Sequence, residues 1–440
     1  MRGGVDKVRA GLRIRRPAAR SSRRGIGYVG VTLAGALAAA GLAACGTSSA
    51  ATGPVALNFY NFPDPSGAIQ TAANNCSNSH YKINYNLLPT AADQQRLQMA
   101  RRLAAGDSSL DILGLDVTWE AEFATAGWIR PWTGTYKQQA IAGTLKGPLQ
   151  TAIWRGKPYA VPANSNTQLL WYRSDLVKTP PTTWAQMISD AEQLAKQGKP
   201  HLIEIQGAQY EGTVVWFNTL TASAGGSILN PASTAAQLGA PAIKALSIMK
   251  QLATSSAADP SLPVQMENDN RLAMEAGTAA FELNYPFVYP AMQADNPKLF
   301  KVFKWAPYPS VYPGRPARVT VGGIDYAISS TSQHPQLAFQ AALCLRNAQN
   351  QLNAAVKGGL PPTLASVYNN PKMQSAYPFR HLILAQVNNG AVRPKTPLYQ
   401  VVSVQISHLI SPPASIVPPT TEQSLRTSIN NALQGKGLTP

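Results

Sequence analysis

The strand, helix and strand that open the body of this chain restrict it to an α/β fold. The segment VALNFYNF (55–62) alternates apolar and polar residues and predicts a strand. LDILGLDVTW (110–119) predicts a buried strand that ends in a polar turn. Between them Leu97, Ala100 and Ala104 recur at helical spacing in QQRLQMARRLAAG, which Gly106 closes. Strands joined through a helix in this way run parallel in one sheet. Further along, TPPTTWAQMISDAEQLAKQG combines paired prolines, a Thr cap, an apolar face of Trp184, Met187, Ile188, Ala191 and Leu194, and a stop at Gly198. These features predict a helix. Pro418-Pro419 and Thr420 ahead of Leu425, Ile429, Ala432 and Leu433 predict another near the end.

Ahead of that body, residues 1–44 carry nine Arg or Lys residues, from Arg2 to Arg24, against the single acid Asp6. An uncharged apolar run over 26–44 follows. A basic stretch, a short apolar core and small residues describe a secretory signal. The Gly- and Ala-rich run is borderline for a membrane span, which takes about 20 apolar residues. Leu42-Ala43-Ala44-Cys45 resembles a bacterial lipobox. The resemblance implies that 1–44 is a cleaved lipoprotein signal peptide and that Cys45 carries lipid on the outer face of the cell membrane. Residues 45–54 are then the tether. Arg23-Arg24 is a poor twin-arginine match, so the export route stays open.

The leader also holds eight of the seventeen net positive charges. The remainder has no block of like charge and no basic stripe with interleaved aromatics, so a nucleic-acid partner is not expected. Its length suits two lobes, each with its own core. Without a long linker between them, the chain is expected to cross from lobe to lobe more than once.

Enzyme signatures are absent: there is no G-x-S-x-G, no H-E-x-x-H and no G-x-x-x-x-G-K-[ST]. The five histidines never pair at metal-ligand spacing and the three cysteines are far apart. No metal and no cofactor is expected. A glycoside hydrolase needs only two carboxyl groups, about 5 to 10 Å apart. Asp116 with Glu211 or Glu267 is the alternative set for such an enzyme.

Polar residues instead gather at predicted strand ends beside aromatics. Asn61 and Asp64 follow the first strand, Asp116 and Trp119 the next, and Asn164 and Asn166 precede TQLLWYR. Open α/β sheets bind ligands beyond the carboxyl ends of their strands. Carboxylates and amides suit adjacent hydroxyls of a neutral polyol, and aromatic rings cover the C–H face of a sugar. Taken singly, each Asn or Asp reads first as a turn or cap residue, and only the constellation points to a cleft.

AVPANSNTQLLWYRSDLVKTPPTTWAQM resembles the interlobe crossover of the family-1 extracellular sugar-binding proteins of ABC importers. More narrowly, QRLQMARRLAAGDSSLDILGLDVTWEAEFATAGW, VVWFNTLTASAGGSIL, WAPYPSVYPGRPARVTVGGIDYAIS and AVRPKTPLYQVVS resemble the trehalose-binding lipoproteins of mycobacteria. The resemblance implies a two-lobed, class II periplasmic-binding-protein-like fold joined by crossing hinge strands. Its N-terminal lobe would be 55–165 and 323–365, and its C-terminal lobe 166–322 and 366–440. It implies a monomeric, non-catalytic binder that captures trehalose or a related disaccharide and delivers it to the transmembrane subunits of an ABC permease.

The family's sugar contacts fall on Asp116, Asn166, Glu267 and Arg393, with Asn61, Asp64 and Glu211 among the cleft candidates. The aromatic platform, usually Asn-Trp-Pro-Phe, is Asn284-Tyr285-Pro286-Phe287, so Tyr285 exchanges stacking area for a hydroxyl. The segment between Met292 and Trp305 is also shorter than in the resembling proteins. Gly322 and Gly323 interrupt the strand VTVGGIDYAIS where the chain would recross, and are expected to line the cleft or mark a bulge. With Cys45 lipidated, Cys76 and Cys344 remain in an exported chain. The implied lobe assignment brings them together as a disulfide.

Overall fold

The computed structural model describes residues 53–436, so the leader, Cys45 and most of the tether lie outside the described residues. β1 (Val55–Asn61), β2 (Tyr81–Leu87) and β3 (Ile112–Asp116) run parallel, with β1 in the middle. The helix Ala92–Ala104 lies between β2 and β3 in sequence, and Gly106 ends that turn with φ of 71°. β2 has no counterpart in the sequence reading. It is an edge strand with only Tyr81 and Ile83 buried, so YKINYNL carries little apolar signal.

A small hairpin of β4 (Ile153–Trp154) and β5 (Lys157–Pro158) precedes β6 (Ala160–Asn166). β7 (Leu169–Arg173), β8 (Leu202–Glu204), β9 (Ala279–Asn284) and β10 (Phe303–Ala306) form a second sheet in the order β10-β7-β9-β8. The chain then returns as β11 (Gly322–Ile328), inserted antiparallel between β3 and β6, which completes the first sheet as β2-β1-β3-β11-β6. The chain therefore passes between the sheets at Thr167-Gln168 and again before Gly322.

Both crossings are tied down. Thr167 Oγ1 donates to Gln386 Oε1 at 3.2 Å, and Gln168 Nε2 to Gln206 Oε1 at 2.5 Å. Thr320 N–H donates to Thr219 Oγ1 of the adjoining helix Glu211–Ser223 at 3.1 Å. Buried backbone and side-chain donors paired in this way keep each crossing in one conformation.

Cores follow from the alternation of the strands. Leu170 and Tyr172 of β7 face one apolar cluster with Trp184, Trp216, Phe217 and the C-terminal Leu425 and Ile429. Leu169 and Trp171 face another with Phe303, Tyr377 and Phe379. The predicted helix with the Thr cap is Trp184–Lys196, and Thr183 Oγ1 accepts from Gln186 N at 3.2 Å. Its Trp184 stacks on Trp216 with ring centroids 5.7 Å apart. Truncating such a buried ring costs about 3 to 5 kcal/mol. The final helix is Pro418–Leu433.

On the first sheet, the helices Ala68–Cys76 and Pro335–Leu345 share one cluster with Leu57, Phe59 and Ile328. The structure joins Cys76 to Cys344 there, with Cα atoms 5.7 Å apart. Trp119, read from sequence as a cleft aromatic, is instead buried in the core and stacks on Phe123 at 6.5 Å. Its position after the polar turn at Asp116 starts a short helix, Glu120–Thr125, that turns the ring inward.

Candidate functional site

Arg393 organises the region between the two sheets. It lies in the segment linking the helices Arg380–Asn389 and Tyr399–Ile410, and is buried. Its Nη2 donates to Asp116 Oδ1 at 3.2 Å and its Nη1 to Glu211 Oε1 at 2.6 Å. Asp116 ends β3 of the first sheet, and Glu211 opens the helix Glu211–Ser223 packed on the second. One guanidinium therefore bridges the two halves of the molecule.

Each carboxylate has further support. Asp116 Oδ1 also accepts from Thr118 N at 3.0 Å and Thr118 Oγ1 at 2.8 Å, a local turn that aims the carboxylate away from its own strand. Glu211 accepts from Tyr399 Oη at 2.6 Å and from Ser403 Oγ. Tyr399 and Ser403 are four residues apart on one helix, hence on one face of it. Burial raises the Glu211 pKa against the opposing pull of Arg393, Ser403 and Tyr399. Burial alone would lower the Arg393 pKa, but the charges of Asp116 and Glu211 outweigh it and hold the guanidinium well above its ordinary value.

Glu267 and Tyr285 complete the cluster. Glu267 opens the helix Glu267–Glu275, and its carbonyl accepts from Asn284 Nδ2 at 2.8 Å, which ties the helix start to the end of β9. Its carboxyl is pushed up mainly by burial. Tyr285 follows β9, and its N–H donates to Asn284 Oδ1 at 2.8 Å. Burial raises the Tyr285 phenol, and Glu267, Arg393, Asp116 and Glu211 all act on it electrostatically. Tyr210, missed in the sequence, belongs to the same cluster: burial raises its phenol, and Glu267 and then Tyr285 raise it further. A Cβ on Gly212 would come within 2.1 Å of the Tyr210 hydroxyl, so Gly212 makes room for the ring.

The paired glycines have different roles. A Cβ on Gly323 would lie 2.2 Å from the Asn164 carbonyl oxygen, and its φ of 143° disfavours any side chain. Gly323 is therefore required by close approach of β11 to β6, and the β11–β6 register shifts between Ile324 and Asp325, as at a bulge. Gly322 pairs with Asn166, and a Cβ there would meet Arg393 Nη2 at 3.7 Å. It leaves space beside the guanidinium. Asn166 is half-buried at the end of β6, and its Oδ1 accepts from Asn164 Nδ2 at 3.4 Å.

Two sequence candidates stand apart from this cluster. Asp64 is engaged in capping the helix Ala68–Cys76, accepting from Ser66 N and Ser66 Oγ at 2.9 and 2.6 Å and from Ile69 N at 2.9 Å. Asn61 is buried against Gly114, where a Cβ would be 2.1 Å from its Oδ1; its Nδ2 has no partner. A cavity of about 410 Å³ opens beside Arg393, lined by Gln150 and Ile153 on one side and Asn218, Leu229 and Asn230 on the other. Its volume falls in the range of small-molecule sites. Among the candidates named from sequence only Arg393 lines it. No cluster of His, Cys, Asp and Glu suited to a metal ion occurs among the described residues.

Comparison with known proteins gives this geometry a context. Residues 66–352 match the family model described as bacterial extracellular solute-binding protein. A probable ABC transporter-binding protein of Deinococcus radiodurans is 26% identical over 324 residues, covering 70% of this chain and 75% of that one. The structure of maltose-bound T. maritima MalE3 superposes with a TM-score of 0.78 at 25% identity, covering 87% of this chain and 99% of the other. A solute-binding protein of Thermotoga lettingae bound with α-D-tagatose gives a TM-score of 0.75 at 20% identity, covering 86% and 100%, and shares the two-lobed fold.

Proposed function

The chain belongs to the bacterial extracellular solute-binding proteins, and we propose that it is the sugar receptor of an ABC importer, capturing a neutral disaccharide between its lobes. The observation that carries this reading is the Asp116–Arg393–Glu211 bridge, in which acceptors from one lobe and from the other meet at one buried cation. A ligand that bonds to both sides at once favours the closed arrangement by the difference between its affinities for closed and open forms. Carboxylates held by Arg393 keep lone pairs for sugar hydroxyls, and Tyr285 offers both a ring face and a hydroxyl. Asn166, Glu267 and Gly322 border the same region.

Trehalose is the disaccharide we assign, on the blocks that resemble the trehalose-binding lipoproteins. The maltose of T. maritima MalE3 supports a disaccharide of similar size. Lipidation at Cys45, a monomeric state and delivery to permease subunits complete the proposal.

A glycoside hydrolase reading is less well supported. The guanidinium of Arg393 stands between Asp116 and Glu211, where the scissile bond would have to lie. Thermal shift against trehalose, maltose, sucrose and a glycerophosphodiester tests the assignment. At about 100 times its dissociation constant a ligand adds roughly 2.7 kcal/mol, so trehalose should raise the melting temperature most and the anionic ligand not at all. Sustained release of glucose from trehalose would favour the hydrolase.

A further inference from the structure

A second polar cluster lies directly behind the bridge. Glu120 begins the helix Glu120–Thr125 and is 2% exposed; Asp325 lies in β11 and is 1% exposed. Asp325 Oδ2 accepts from Thr151 Oγ1 at 3.0 Å. Asp325 Oδ1 and both carboxyl oxygens of Glu120 are buried without a hydrogen-bond partner. Lys395, two residues after Arg393, lines a small closed space with Glu120, Thr151 and Trp154. Its Nζ donates to the carbonyls of Gln150 and Ile153, the latter at 3.1 Å.

We infer that Glu120, Asp325 and Lys395 form a proton-sharing latch that seats the Arg393 segment, 391–398, on the first lobe. Two neighbouring carboxyls out of water do not both remain ionised beside a single ammonium. With the proton on Glu120 and the charge on Asp325 opposite Lys395, the latch is neutral, and one shared hydrogen joins a Glu120 carboxyl oxygen to the otherwise unpartnered Asp325 Oδ1. Loss of that proton leaves an uncompensated negative charge beneath Asp116, the carboxylate that holds Arg393.

The electrostatics agree with this geometry. Burial, followed by the charge of Asp325, holds Glu120 well above the carboxylate range. Burial pushes Asp325 up to about 7, against the pull of Thr151 and Glu120. Burial lowers Lys395, and Glu120 and Asp325 oppose that. The other charged groups facing the pair are Asp116 on β3, which raises both acids, and Arg346, after the helix Pro335–Leu345, which senses Asp325. A consequence for sugar uptake rests on the cleft reading above; the latch itself does not.

The test uses the ligand-free full chain. Glu120→Gln fixes the protonated form, because an amide keeps a donor toward Asp325 and carries no charge. An acid whose pKa is raised in the folded state loses stability as pH rises above its unfolded value. The melting temperature of E120Q should therefore exceed that of the parent by a gap that widens by about 2 °C or more from pH 5 to pH 8. Lys395→Met should move the parent's pH transition to higher pH. Amide exchange in 391–398, compared between parent and E120Q at equal pH, should be the same at pH 5 and slower in E120Q at a pH above the parent's transition. A gap that stays constant with pH, or equal exchange at both values, overturns the latch. If E120Q does not fold, Asp325→Asn is read by the same gap.

Discussion

Arg393→Met is the substitution that most severely loads the interlobe bridge. It removes two charge-assisted bonds, at 2.6 Å to Glu211 and 3.2 Å to Asp116. Breaking a buried ion pair from one side costs about 3 to 5 kcal/mol, because the remaining charge stays desolvated. Relief is available here: the Asp116 side chain is 21% exposed and can rehydrate, and Glu211 keeps Tyr399 and Ser403. The expected loss is therefore near the lower end, about 3 kcal/mol. Glu211 is already shifted upward by burial, and without Arg393 it moves further up. A raised folded pKa removes stability as pH increases, so the R393M deficit should be small at pH 5 and grow toward pH 8. Urea denaturation of R393M, Glu211→Gln and the double variant measures this directly. Residues in contact couple by about 0.5 to 3 kcal/mol, whereas independent sites add to within about 0.5. Additivity of R393M and E211Q would refute the bridge, as would a parent-like stability for R393M at pH 8.

Gly323→Ala should destabilise the fold by at least about 1 to 3 kcal/mol, since its Cβ meets the backbone of β6, while Gly322→Ala should leave denaturation nearly unchanged and weaken sugar binding. Thiol counting in denaturant on exported protein lacking Cys45 should find no free thiol before reduction and two after. With a sequence separation of 268 between the partners, the chain-entropy model gives the Cys76–Cys344 bridge up to about 5.6 kcal/mol. Burial pushes Glu204 and Glu282, neighbours on β8 and β9, each up to about 8. Glu204→Gln should consequently gain stability relative to the parent as pH rises from about 4.5 toward 8, read by denaturation at both ends of that window.

Local chemistry made part of this molecule legible in the sequence. The Thr183 cap and the apolar face from Trp184 to Leu194 act within one helix, and the strand at 55–61 carries its own alternation. β2 was not legible because an edge strand with half its face in water needs few apolar residues. Asp64 had the chemistry of a cleft residue and the position of a cap, and its carboxylate accepts from Ser66 and Ile69 of its own turn and the helix it caps. Trp119 follows the same polar turn as Asp116 yet points into the core. The bridge was reachable only through family resemblance, since Arg393 is 277 residues from Asp116 and 182 from Glu211, beyond any periodicity. Tyr399 and Ser403 had no reading of their own in the sequence; their common face appears only once the helix Tyr399–Ile410 is formed. Glu120 gave none, because an acid in the first turn of a helix usually faces water.

The most direct test of the central claim is calorimetric titration of trehalose into the parent protein and into Asp116→Ala. The Asp116 side chain lies partly exposed at a strand end, so the variant should fold, while it loses charge-assisted bonds worth about 1.5 to 3 kcal/mol each. The account predicts saturable binding of one trehalose per chain, weakened tenfold or more in D116A with little change in stability. Equal affinity in the two proteins, or no heat of binding in the parent, would contradict it.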